Sequence, residues 1–464
     1  MTFFQLEKIQ ARNKQKCHEY RVYHRAKRTA RNTSLMIPPE SRDQYFTSVA
    51  YCRLACQVLS ERIELDSIKT TPENKDADEF LALTLEANGG ADFVNQAHMS
   101  AMEYGRAYLI PTGSLRADGL PVTQLVTAPH MVHRTDPYTG EVVEALRVWG
   151  PRGDKRAYYT PARTVYLVAS GLGWVMDPDV PQNPAPNPDN KIAVYPLICR
   201  AEADTTYGRP EAKDAFSLQD SGCRIATDMS YASGTMAAPQ RVMHGIEEDD
   251  FNQVNPDGSI QLDPDTGDPI KQTGEQIYMA RLLTMSDPLS KISEFTAAQL
   301  QNFATAGNAV TRQTAAILGV PQSVFGVASD ANPASGDGQR QDDARLVRRS
   351  EQLTRGFQPA WKGLYEDLLR RNGFGDLKIL IRWMNPALPN LAALADSVLK
   401  LATVRVAQDG KEIPLYTWEE LRRMLGDAQP DIDKAKEQLE NQAIVSLLTQ
   451  PPDTAPPASP PVAA

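Results

Sequence analysis

Between Ala297 and Trp361 the chain holds two helical stretches around a segment with no means of packing itself. In Ala297–Leu318, the residues Leu300, Phe303, Gly307, Val310, Thr314 and Ile317 recur at steps of 3, 4, 3, 4 and 3, which is one helical seam. Arg312 is the only charge, and Ala298, Ala304, Ala306, Ala309, Ala315 and Ala316 fill much of the rest. A helix this poor in solvating groups is expected to have neighbours on more than one side. ILGVPQSVFG follows, then VASDANPASGDGQ, which carries no hydrophobic anchors and reads as an exposed loop between rigid helices. The second helix, about Gln339 to Asn372, sets Leu346, Leu353, Phe357, Trp361, Leu364 and Leu368 on one side and Arg340, Arg345, Arg348, Arg349 and Arg355 largely elsewhere. Gly356 and Pro359 predict a kink in it.

A second seam matches the first. Leu218, Gly222, Ile225, Met229, Ala232 and Met236 step by 4, 3, 4, 3 and 4, so two helices of like pattern can pair antiparallel. YGRPEAKDAF opens the earlier one, with Pro210 suited to its first turn. Between the two seams lies a strand- and turn-rich insert. From Gly245 to Ile270 it has eight acids, Glu247, Glu248, Asp249, Asp250, Asp257, Asp263, Asp265 and Asp268, and no Lys or Arg. Such a run reads first as a solvated loop.

The net charge of −9 conceals a polarity. Residues 1–31 carry nine Lys and Arg against Glu7 and Glu19, a net +7, which leaves −16 for the remainder. A basic arm points to an anionic partner, or more simply to a solvated helix face. An acidic body argues against wrapping nucleic acid over a wide surface.

The rest predicts an α+β organisation, predominantly helical. Residues 1–30 read as a helix broken at Pro38–Pro39, and a second helix is expected from about Arg42 to Glu64. A third, from about Asp76, should stop at Gly105. Strands and turns follow to about Pro196. LKILIRWM reads as a strand returning to this first domain, and helices are expected across 390–407 and 417–447. The tail TQPPDTAPPASPPVAA holds six prolines in sixteen residues and reads as disordered. At 464 residues the chain is long enough for two or three domains. The five scattered cysteines predict no disulfide framework. The N-terminus lacks an apolar signal core, and no run approaches the ~18 apolar residues of a membrane span.

Chemistry-bearing motifs are missing from the sequence. There is no G-x-x-x-x-G-K-[ST], no G-x-G-x-x-G after a strand, no H-E-x-x-H and no G-x-S-x-G. SGDG has no following Lys for a phosphate, and its Asp337 would repel one. His130 and His133 in HMVH point to opposite faces of a strand, with no third ligand nearby. No metal, cofactor or catalytic residue is expected, and an enzyme is disfavoured.

Four stretches, in order, carry a resemblance. They are YRVYHRAKR…MIPPESRDQYF…AYCRLACQVLSERIEL; SAMEYGRAYLIP with VTAPHMVHRTDPYTGEVVEALRVW; YGRPEAKDAFSLQDSGCRIATDMSYASGTMAAPQRVMHG; and LQNFATAGNAVTRQTAAILGVPQSVFG…NPASGDGQRQDDARL. Together they resemble the phage portal proteins, specifically the siphophage portals common in actinobacterial phages. One departure is Gly336-Asp337-Gly338 after Asn332-Pro333-Ala334-Ser335, where the family usually continues with small apolar residues.

The resemblance implies a portal fold with wing, stem, clip and crown, assembling as a ring of usually twelve subunits at one capsid vertex, with duplex DNA passing through it non-specifically. On that map residues 1–205 are wing, joined by strand 377–384. Residues 206–236 and 296–318 are stem helices, 237–295 the clip, 319–338 the tunnel loop, 339–376 the long kinked helix, 385–448 the crown and 449–464 a disordered tail. Ser329, Asp330, Asn332, Ser335, Asp337, Gln339 and Arg340 would line the channel. Leu300, Phe303, Gly307, Val310, Ile225 and Met229 would form the stem interface, and Glu247, Glu248, Asp249 and Asp250 the acidic clip. The Arg face of 339–355 would be solvated, paired with the next subunit's acids, or in contact with DNA. Implied partners are the terminase motor, head–tail connector, scaffold and major capsid proteins, with no membrane. The implied location is the portal vertex of the virion, and the host cytoplasm during assembly. Another phage head or baseplate adaptor is the alternative.

Overall fold

A computed structural model describes residues 3–449 except 36, 172, 188–189, 204, 237–240, 245–251, 254, 265, 271–290, 295–299, 328–335, 388–390, 409–410, 426 and 428. The helices are α1 (Phe3–His24), α2 (Arg42–Tyr45), α3 (Tyr51–Ser60), α4 (Lys75–Ala87), α5 (Gly90–Tyr104), α6 (Phe216–Met236), α7 (Leu300–Leu318), α8 (Gly336–Arg371), α9 (Leu391–Thr403), α10 (Trp418–Met424) and α11 (Gln429–Thr449). The strands are β1 (Leu65–Thr71), β2 (Arg106–Leu115), β3 (Pro121–Thr127), β4 (Met131–Thr135), β5 (Val142–Trp149), β6 (Lys155–Tyr159), β7 (Arg163–Ser170), β8 (Gly173–Met176), β9 (Ala185–Pro186), β10 (Tyr195–Ile198), β11 (Arg241–His244), β12 (Lys291–Glu294), β13 (Lys378–Trp383), β14 (Arg405–Gln408) and β15 (Lys411–Pro414). The chain forms two compact units, one from Met1–Asn32, Ser48–Gly222 and Ala309–Ala464, the other from Thr33–Thr47 and Cys223–Asn308.

In the larger unit, β10-β2-β3 make a three-stranded antiparallel sheet, and β4 to β8 run as a meander with β9 added on β7. The strand LKILIRWM pairs antiparallel with β1, from Thr71↔Lys378 to Leu65↔Trp383, and together they form a sheet of their own. The principal core gathers residues from α3, α5, β2 and α8. Its largest members, Phe357 and Trp361, lie on the apolar face of α8 with Leu346, Leu353, Leu364 and Leu368, all buried. The helix continues through Gly356 and Pro359.

Several expected helices are interrupted, each time where the backbone has another partner. The expected helix from 42 to 64 stops at Tyr45, and Phe46 is extended. The Thr47 N–H then donates to Thr227 Oγ1 at 3.1 Å instead of to its own helix. The expected helix from 76 to 105 divides at Asn88-Gly89. There the Asn88 amide donates to Thr84 O and Pro121 O, and its carbonyl accepts from the Thr123 N–H, so the break ties the helices to β3. Gly105 ends α5 in the left-handed region at φ +86° as expected, and a Cβ there would lie 2.6 Å from Gly208 O. Pro210 does not open α6, which starts at Phe216 after a 3-10 turn. The backbone before it is already committed, with the Arg209 N–H bonding Cys199 O and the Glu211 N–H bonding Met102 O. In the expected helix 390–407, α9 ends at Thr403 and the β14–β15 hairpin follows. The Asp409-Gly410 dipeptide is the hairpin signal there.

α1 packs through polar side chains. Its inward residues are Leu6, Gln10, Asn13, Cys17 and Tyr23. The Gln10 and Asn13 amides donate to Pro129 O and Ala128 O, each at 2.6 Å, which satisfies carbonyls of the 128–130 turn. Asn13 Oδ1 accepts from Arg106, a buried cation that also donates to the Tyr108 hydroxyl and lies 3.8 Å over the Tyr207 ring. Tyr108 in turn meets His133 Nδ1 at 3.0 Å. His133 is therefore a core residue, apart from His130 in the preceding turn.

Two buried histidines make the fold sensitive to acid. His98 stacks on Phe357 and accepts from Trp361 Nε1 at 3.0 Å. Burial pushes the imidazoles of His98 and His133 down to about 3, with Arg106 adding to the effect on His133. In the unfolded chain both titrate near 6.5. Between these values the unfolded state binds protons that the native state does not. Each histidine's contribution is complete above about pH 6.5 and is lost as the pH falls toward 3. The expected loss is up to about 1.4 kcal/mol per pH unit for each histidine. Burial raises the pKa of Glu103, which works in the opposite sense and lessens the slope. Urea midpoints at pH 7, 6 and 5 check this, and a flat profile would contradict it.

Candidate functional site

The two seam helices differ in how their own chain covers them. α6 carries Thr227 and Ser230 against the 42–47 segment, where the Thr47 hydroxyl meets Ser230 Oγ at 2.8 Å and Tyr45 sets its ring edge-on to Tyr231. At Gly234 a Cβ would come within 2.9 Å of that Tyr45 ring, so the absent side chain admits it. On α7 only the C-terminal residues Thr311, Thr314, Ala315 and Leu318 are buried. Ala304, Ala306 and Ala309 are exposed, and so is Leu300, at 41%.

The stem candidates Phe303, Gly307, Val310 and Ile225 are half-buried, and Met229 is 38% exposed. A Cβ on Gly307 would meet Ile225 Cγ2 at 3.9 Å, so the seams approach each other there at ordinary packing distance. The expectation of neighbours on more than one side of α7 is met within this chain along only part of its length. What remains exposed is uncharged, with Gln301, Asn302, Thr305, Asn308 and Gln313 interleaved among the alanines.

Tyr51, which sequence reasoning missed as a tie, joins the larger unit's portions of both helices. Its ring occupies the space left by Gly222, where a Cβ would fall 2.8 Å from Cε2. Its hydroxyl meets Thr311 Oγ1 at 2.7 Å, and its ring stands edge-on to Phe325 at 5.6 Å.

The end of α7 is closed twice. Gly319 turns left-handed at φ +61°, and the Val320 N–H returns to Ala315 O at 3.1 Å, in a Schellman closure. Arginines of α8 then take the last carbonyls. Arg345 donates to Ala316 O at 2.7 Å, and Arg349 donates to Ile317 O and Leu318 O. Cations at a helix C-terminus also complement its dipole. Arg345 and Arg349 therefore have bonds within the chain, which corrects the reading of that whole face as solvated, paired between subunits or on DNA. Arg348 and Arg355 are exposed.

Arg349 is anchored from behind by Glu211, which is 1% exposed. The Glu211 carboxylate accepts from Arg349 Nε at 2.7 Å and from Arg200 at 2.7 and 3.0 Å. Burial lowers the Arg349 pKa, while the bond to Glu211 raises that of Arg200. Burial, reinforced by Glu211, lifts the neighbouring Cys56 and Cys199 thiols well above their ordinary value. All five cysteines are buried, and none is joined in a disulfide. No sequence spacing marks this cluster, because its members come from three distant segments.

The candidate loop is shorter than 319–338. Val320 and Val327 are buried, Val324 and Phe325 pack on the core, and residues 322–325 form a 3-10 turn. Those are anchors within a stretch read as loop. At the other end α8 already runs from Gly336, so Asp337, Gln339 and Arg340 stand in its first turns. Ser329, Asp330, Asn332 and Ser335 lie outside the described residues, as do the clip acids Glu247, Glu248, Asp249 and Asp250. At the base of the insert, β11 pairs with β12 from Arg241↔Glu294 to His244↔Lys291. Among the described residues, no three His, Cys, Asp or Glu side chains are grouped to hold a metal, and no helix is long and apolar enough to cross a membrane.

Residues 5–443 match the family model "Phage portal protein, SPP1 Gp6-like". The portal proteins of Mycobacterium phages D29 and L5 are each 28% identical, over 398 and 393 residues, covering 82% of this chain and 77% of theirs. Among solved structures, a chain from the neck of a native gene transfer agent particle, computed with C12 symmetry, is 14% identical with a TM-score of 0.45. The match covers 81% of this chain and 88% of that one.

Proposed function

The chain belongs to the SPP1 Gp6-like family of phage portal proteins, and we propose that its copies close into a ring that conducts double-stranded DNA into and out of the capsid. The observation that carries this reading is the exposed, uncharged surface of α7, which includes Ala304, Ala306 and Ala309 and is left uncovered beside its seam with α6. A surface with no ion can be buried against a second subunit without stranding a charge, and its amides and hydroxyls can bond across the contact. Repeated around a closed symmetry axis, such heterologous contacts make a ring, here of twelve subunits.

In this reading the two seam helices are the stem. The 237–295 insert is the clip that docks the terminase motor and then the connector proteins. Residues 1–205 with β13 form the wing, and 385–448 the crown. The ring is a structural component of the virion, assembled in the host cytoplasm with scaffold and major capsid proteins, and it performs no catalysis of its own.

Ala306→Glu tests the interface. Because Ala306 is exposed in the single chain, the substitution should leave its melting temperature nearly unchanged. In a ring it would bury an unpaired charge. Light scattering and negative-stain images of the unaltered protein should show a large ring with a central hole, and the variant should remain small. If both assemble alike, this face is not the interface. An adaptor of another class would lack the stem and clip profile.

A further inference from the structure

The exposed side of α1 carries a second feature, one that does not depend on the ring. Lys14, His18, Arg21 and Arg25 follow one another at steps of 4, 3 and 4, so they share one stripe along about 16 Å of helix. Arg25 belongs to that stripe because its N–H still bonds Arg21 O. With Lys27 and His130 they line a cleft of about 260 Å³ between α1 and the 128–130 turn, and no carboxylate lines it. Lys14, Arg21, Arg25 and Lys27 are exposed, and none forms an ion pair among the described residues. Glu103 acts electrostatically on Arg21 and Arg25 but stands outside the cleft lining. The cleft is held in shape by the Gln10 and Asn13 bonds to Pro129 O and Ala128 O. After burial, the cations Lys14, Arg147 and Arg21 contribute to a lowered pKa at His130, a sign of the positive field there.

We infer that this stripe of α1 is a binding surface for the phosphate backbone of duplex DNA, separate from the loop proposed to line the channel. A single small anion needs one or two donors, whereas a row of cations this long matches a ligand with repeated charge. Duplex DNA presents one negative charge for about every 1.7 Å of its axis. Three further exposed cations of α1, Lys8, Arg12 and Lys16, extend the positive surface around the same helix. Binding is independent of sequence, since the stripe offers charge and no base-reading geometry.

The test is binding of a short duplex by the full chain across a salt series, with Lys14→Gln, Arg21→Gln and Arg25→Gln combined. These side chains are exposed, so the fold should survive, as circular dichroism would report. The slope of log affinity against log salt should fall by up to about 2.7. Replacing residues 328–335 with a Gly-Ser linker of equal length should leave this α1-dependent component in place. An unchanged slope in the triple variant overturns the inference. So does polyglutamate competing as well as DNA at equal charge, which would assign the stripe to an acidic protein segment.

Discussion

Glu211→Gln is expected to destabilise the protein by about 3–5 kcal/mol, the cost of removing one partner from a buried charge cluster. The carboxylate is nearly inaccessible, and it is the only acceptor charge between Arg200 and Arg349 in the contacts described. A neutral amide would leave two guanidinium groups, with Arg349 largely buried and Arg200 24% exposed, facing each other without a carboxylate between them. The effect should also extend beyond stability. Arg349 holds the last carbonyls of α7, so its release loosens the point where the stem helix turns toward the candidate loop. Urea unfolding of the single chain measures the loss. A cycle with Arg349→Met should show coupling above about 1 kcal/mol, since the residues share one network. A loss under about 1 kcal/mol for Glu211→Gln would mean that the cluster is solvated enough to do without its carboxylate.

Replacing residues 328–335 with a Gly-Ser linker of equal length should leave ring assembly intact and nearly abolish packaging or retention of DNA. The segment is bounded by fixed points, Val327 buried on one side and the first turn of α8 on the other. A change confined between them should not reach the α6–α7 seam. Counting rings by negative stain and packaged genomes by protected DNA separates the two outcomes. If rings fail to form, the segment is an interface. If packaging is unaffected, it is no part of the channel.

Most helices were legible from their side-chain pattern. The seams at 218–236 and 300–318 and the apolar side of α8 appear where their 3-and-4 spacing puts them, because one face of a helix can be read from local sequence. Breaks within helices were harder to see. Thr47, Asn88 and Glu211 use backbone or amide groups to bond segments far along the chain, and such partners leave no periodic trace. Local punctuation for the break between α4 and α5 consists of the Asn88-Gly89-Gly90 triplet alone, and that for the hairpin at 405–414 of Asp409-Gly410.

The sequence by itself determined the periodic elements, the poverty of charge in the seams and the basic character of the first thirty residues. These are sums over neighbouring side chains. Only the tertiary structure decided what Arg345 and Arg349 do, that Glu211 joins them, and where the segment between α7 and α8 is anchored. Each of those depends on a close approach between residues distant in sequence, and hydrogen-bond geometry within about 3 Å exists only once the chain has folded. The same holds for the basic arm. Its charge was plain in the sequence, but the 128–130 turn that makes a cleft of it lies far along the chain from α1.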